Sequence, residues 1–164
     1  MMSAKPKTVA VLEVMWDWRM KTSAANPNYL AEAPRAFRIN PENHSGKRLY
    51  QLLGHDNLMV TNACPQLVTG AKGKGNPDAY WLRENLEQLW PYSLLLVCGK
   101  VAQETYDLVR NVNDARTLYL PHPAARQWTN RDIDFASHII QEGSADLHLR
   151  FRGGKLRAEH LTPF

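Results

Sequence analysis

His122 stands between two prolines, in Pro121-His122-Pro123, directly after the apolar run Thr117 to Leu120. Proline fixes φ on both sides, so the imidazole sits on a stiffened loop, where it can donate or accept a hydrogen bond near neutral pH. Asn62 follows a second apolar run, Leu58 to Thr61, and opens the stretch Asn62-Ala63-Cys64-Pro65. Its carboxamide offers a donor and an acceptor side by side, which suits the polar edge of a flat ligand. Asp17 follows a third run, Thr8 to Val14, through Met15-Trp16. Each of the three also has a plain structural reading: a loop histidine, a turn-capping asparagine and a capping aspartate.

The runs that precede these residues read as strands, and Ser93 to Val97, apolar throughout, reads as a central one. Helices are expected over Ser45 to Leu53, Asp78 to Leu89, Val101 to Val109 and about Asn130 to Glu142. Gly54 marks a stop and Asn76-Pro77-Asp78 a start. Strands and helices alternate, which predicts an α/β fold: a three-layer sandwich with a short four-stranded parallel sheet flanked by helices. Ligands bind such sheets at the carboxyl ends of the strands. Those ends carry Trp16-Asp17, Asn62-Ala63, Gly99-Lys100 and His122-Pro123.

A chain of 164 residues suits one domain spanning 1–164, with a polar, basic C-terminal tail from Ser144 to Phe164. That tail, with Arg150, Arg152, Lys155 and Arg157, is either a solvated surface or a phosphate-contacting arm. The formal charge of +4 permits a polyanionic partner without demanding one. Two cysteines, Cys64 and Cys98, cannot build a disulfide framework or a four-cysteine metal site, and they are expected to be buried free thiols. No apolar run is long enough to span a membrane, and no cleavage pattern follows Met1 to Lys7, so a cytoplasmic monomer is expected. Gly70 to Gly75 lacks the spacing and the closing Lys-Ser/Thr of a P-loop, so Lys72 and Lys74 are read as a basic loop touching a polyanion.

At its strand ends the chain resembles the uracil-DNA glycosylase superfamily, from about Thr8 to Asn130. Leu120-Pro121-His122-Pro123-Ala124-Ala125-Arg126 resembles the family's His-Pro-Ser loop, and Val60-Thr61-Asn62-Ala63-Cys64-Pro65 is similar to its Asn-bearing second strand. Phe37 to Leu53 resembles the Phe-containing segment and following helix, and Leu94 to Tyr106 the third strand, Gly turn and helix. The resemblance implies a monofunctional DNA glycosylase that flips a base out of DNA and hydrolyses its N-glycosidic bond, without metal, cofactor or iron–sulfur cluster. Asn62 would read the base, Phe37 would stack on it, and His122 would donate to a base carbonyl as negative charge grows. Arg126, Gln127 and Trp128 would face the DNA. The first family motif is the point of departure. Asp17 is the candidate by chain position; Asn40, in Ile39-Asn40-Pro41, is the rival. Trp16 and Trp18 replace small residues of the family pocket, which suggests room for a bulky modified base such as those of phage DNA. Two other readings fit the same pattern: a catalytically silent DNA-binding relative, and an enzyme acting on free nucleotides or nucleosides.

Overall fold

The computed structural model describes residues 6–16, 33–68, 75–110 and 114–161. Strands β1 (Thr8–Leu12) and β2 (Met15–Trp16) are followed by helix α1 (His44–Leu53), then β3 (Leu58–Asn62) and β4 (Leu67–Val68). Next come α2 (Ala79–Leu89), β5 (Leu94–Cys98), α3 (Lys100–Asp107), β6 (Arg116–Leu120) and α4 (Asn130–Glu142). The described chain closes with β7 (Leu147–Arg152) and β8 (Lys155–His160).

The main sheet runs β3-β1-β5-β6-β7-β8, parallel except for the last strand. β1 and β5 are buried along their whole length, which their unbroken Val and Leu content requires. Pleat alternation sends Ala10, Val60, Leu96 and Leu118 to one face, where they join Leu49 and Leu52 of α1 and Ile133 and Ala136 of α4. Val9, Val11, Leu95 and Val97 go to the other face, with Leu82 and Leu86 of α2 and Ala102 and Tyr106 of α3. The result is the expected α/β sandwich, with a sheet of six strands instead of four.

The two additional strands come from the stretch read as a tail. Residues 147–160 form a hairpin whose first strand parallels β6. Leu147, Leu149 and Phe151 alternate with His148, Arg150 and Arg152, a half-buried strand pattern that the arginines obscure. Gly153 and Gly154, at φ 58° and 75°, make the tight turn. The first expected strand is also shorter than its apolar run. It ends at Leu12, and Met15–Trp16 pairs instead with Leu67–Val68 in a separate two-stranded sheet.

Asp132 joins the hairpin to the rest. Its carboxylate closes a capping box with Thr129 at the start of α4 and accepts the Leu156 N–H of β8 at 3.1 Å. Burial alone would raise its pKa, but the N–H groups of Leu156 and Thr129 and the Thr129 hydroxyl hold it below the usual carboxylate value. Asp132→Ala is expected to lower stability by about 2 to 4 kcal/mol, from a lost cap and a buried N–H left unpaired. Denaturant unfolding measures this. The carboxylate's added stability is fully present above the unfolded value of 3.8 and lost as pH falls through the depressed folded value, so variant and parent should converge on acidification.

Candidate functional site

Asn62 and Leu12 are register partners, as are Cys98 and Leu120, and Val11 lies opposite Val97. Asn62, Leu12, Cys98 and Leu120 therefore form one row across the carboxyl end of four parallel strands. Three strand spacings separate the ends of the row, about 14 Å. Asn62 follows Val60 by two residues, so it continues the face covered by α1 and α4.

Backbone and side chains fix the Asn62 strand end. Ala63 N–H donates to Leu12 O and Cys64 N–H to Glu13 O, at 2.8 and 2.9 Å, which carries the β1 ladder past the strand. On the opposite face the Thr61 hydroxyl donates to Arg35 O at 2.8 Å and accepts the Asn85 amide at 3.2 Å. Arg35 in turn donates to Asn85 Oδ1 at 3.0 Å. Asn62 itself is 1% exposed, yet neither Nδ2 nor Oδ1 has a hydrogen-bond partner among the described residues. An orphaned buried polar group costs on the order of 1–3 kcal/mol. An amide with both ends unmet among the described residues can pair with a group that brings one acceptor and one donor.

His122 is fixed as firmly. Its carbonyl accepts Ala125 N–H at 2.9 Å and the Trp128 indole N–H at 3.0 Å. Just before it, Leu120 O accepts Gly99 N–H and the Gln103 amide, both at 2.9 Å. Ala124 N–H donates to His122 Nδ1 at 3.0 Å. That bond needs the Nδ1 lone pair, so the proton of the neutral ring sits on Nε2, which has no partner among the described residues. Burial, and then the charge of His44 nearby on α1, pull the His122 pKa below its ordinary value. The ring is a neutral donor near pH 7. Gly99 turns the chain beside His122 at a φ of 90°, a conformation that favours glycine.

Trp128 corrects the expectation that it faces DNA. It is 8% exposed, with its ring edge-on to Phe151 of β7 and under the Arg48 guanidinium, 5.5 Å from the ring centroid. Its work is to hold the His122 carbonyl. Arg126 and Gln127 are exposed in the same turn. Phe37 makes a two-way backbone pair with Val60 at 2.9 Å, and its half-buried side chain packs on the core beside β3. Asn40 is exposed, and its Oδ1 accepts Glu42 N–H at 2.8 Å, a turn-forming job. Asp17, Trp18, Lys72 and Lys74 lie outside the described residues, as does the side chain of Trp16.

His44 and Arg48 are functional neighbours that the sequence reading passed over. They sit four residues apart on α1, so one helix face brings both toward the His122 loop. The i, i+4 spacing was visible, but only the tertiary packing of α1 gives it meaning. Cys64 and Cys98 are free and buried, as expected. Burial and the charge of Glu13 push the Cys64 thiol up to about 11, and burial pushes Cys98 up to about 12. Both are poor nucleophiles. A cleft of about 410 Å³ lies at the other end of the sheet, lined by Thr8, Leu94 and Arg116 at the starts of their strands. There the Arg116 guanidinium is already spent on the carbonyls of Ile139, Ile140 and Ala145. No group of three or more potential metal ligands occurs among the described residues, and no helix there is long and apolar enough to cross a membrane. Comparison with protein-family models and with curated proteins finds no match for this chain.

His122 is expected to titrate below 6.5, followed by NMR of its imidazole. His44→Gln should raise that midpoint toward 6.5 without reaching it, because burial persists. The neutral ring's contribution to stability is complete above 6.5 and is lost as pH falls through the depressed folded value. An unchanged midpoint in the variant would remove His44 from the site.

Proposed function

We propose that this protein is a monofunctional DNA glycosylase of the uracil-DNA glycosylase type. One observation carries the reading: Asn62 is buried with its amide unpaired, in the strand-end row that leads to a neutral, proton-bearing His122 Nε2. The family resemblance at these two residues supplies the chemistry. A deaminated or modified base, flipped from DNA, enters at the carboxyl ends of the strands. Asn62 accepts from and donates to its polar edge. As the N-glycosidic bond breaks, the electron pair moves into the departing base, and His122 Nε2–H donates to the carbonyl oxygen where charge collects. A neutral donor suits this step, since it stabilises the leaving anion without having to transfer its proton. Water adds at the sugar carbon and loses a proton, leaving an abasic site and the free base.

Asp17 is assigned the water-positioning role. Asn40 is set aside because its amide oxygen is engaged in its own turn and its side chain faces solvent. Arg126, Gln127, Lys72 and Lys74 are assigned to the DNA backbone. The protein is proposed to act in the cytoplasm as a monomer, in DNA repair or against foreign DNA. Bulky pyrimidines of phage DNA belong on the substrate panel, because Trp16 and Trp18 stand where the family keeps small residues.

Duplexes carrying uracil, other deaminated bases or hypermodified cytosines should yield alkali-labile abasic sites on at least one substrate. Intact DNA binding with no product on any substrate would replace this reading with a silent binding relative. Release from free nucleosides but not from DNA would replace it with a nucleoside enzyme. His122→Ala and Asn62→Ala should each lower turnover by a factor on the order of 10² to 10³, the usual effect of losing one transition-state donor. Asn62→Ala should leave the melting temperature unchanged or raised, because it removes an orphaned buried amide. A marked fall in melting temperature would make Asn62 a structural residue instead.

A further inference from the structure

The β7–β8 hairpin runs past the end of its neighbour. Leu118 pairs with Leu147 and Tyr119 with His148, so Leu149 stands level with Leu120, the last residue of β6. Arg150 to Arg152, and Lys155 to Arg157 across the turn, therefore project about 10 Å beyond the sheet. They project from the carboxyl end, where His122 lies.

The two faces of this projection differ. Phe151 and Leu156 are partners across the strands, and both pack on the α1 and α4 side of the core. On the other face Arg150 stands directly opposite Arg157, and Arg152 directly opposite Lys155. Like charges in directly opposed positions destabilise a hairpin. One carboxylate, Glu159, shares this face, and it is already taken by both Arg150 and Arg152. Asp107, the next carboxylate toward α3, is held by Arg110 and Tyr119. Lys155 and Arg157 are exposed and have no ion pair or hydrogen bond from their side chains among the described residues. The fold thus carries a two-by-two block of cations with one carboxylate between them, so the repulsion is only partly offset within the hairpin. A flat, regular row of anions would offset it.

We infer that this basic hairpin face binds the phosphate backbone of duplex DNA beside the flipped nucleotide. The inference rests on the DNA glycosylase reading and adds a surface that the strand-end site does not include. It also assigns the C-terminal residues a partner: a rigid, sheet-anchored flap takes the place of a loose basic arm. Phosphate contacts of this kind set affinity and register and carry no base preference.

The test uses the full chain and a labelled DNA duplex without a target base, with affinity measured over a range of salt concentrations. The double variant Lys155→Gln, Arg157→Gln removes two exposed charges that hold no partner among the described residues and relieves the repulsion across the strands, so a thermal melt equal to or slightly above the parent's is expected. Its plot of log affinity against log salt should be less steep than the parent's by about 2, the loss of two phosphate contacts. Affinity should fall most at low salt. A slope and affinity equal to the parent's would overturn the proposal, as would binding of the hairpin to anionic phospholipid vesicles in place of the duplex. Excision at saturating duplex is measured separately and should survive in the variant. A slope change between parent and variant, with no excision by the parent on any substrate, would keep the hairpin surface and remove the glycosylase reading.

Discussion

The register of four parallel strands governs this molecule. Ladder bonds place Asn62, Leu12, Cys98 and Leu120 at one height, so the residues that end or follow those strands open onto a common rim. A slip of one residue in β3 would turn Asn62 to the α2 and α3 face and bring Thr61 into its place. The two residues therefore hold opposite assignments that cannot be exchanged. Thr61 spends its hydroxyl on Arg35 and Asn85, which fixes the strand end, while the Asn62 amide has no partner among the described residues.

The same division between anchoring groups and open groups recurs at His122. Its carbonyl and its Nδ1 are fully used by Ala125, Trp128 and Ala124, which leaves one ring N–H pointing away from the protein's own bonds. The buried setting, and then the neighbouring His44, disfavour a charged ring. Stability is given up at these two places, in an unpaired amide and a desolvated imidazole, and it is recovered in the closely packed cores on either side of the sheet. The Asp132 link between α4 and β8 extends that support to the hairpin.

Much of this was legible in the residues. Apolar runs of strand length, Gly and Asp punctuation and the alternation of elements lead to the sandwich, and the residues after each run lead to Asn62 and His122. What escaped did so for physical reasons. The β7–β8 hairpin has a two-residue period and a Gly-Gly turn, but its polar face is arginine, so charge masked the alternation. Trp128 looked like a surface aromatic because its sequence neighbours are polar; its burial depends on Phe151 and Arg48, which are distant in the chain. The tautomer at His122 arises from Ala124 and its lowered pKa from burial and then from His44, and no linear spacing announces them.

The outer strand of the hairpin has one further consequence. β8 is the last strand of its sheet, and among the described residues no strand neighbours its far side. At the opposite border, the Phe37 segment pairs with β3 and covers that margin in part. At β8 the exposed Lys155 and Arg157 provide the protection, since charged side chains on an edge strand oppose pairing with a second copy. The same exposed charges thus also oppose growth of the sheet by self-association.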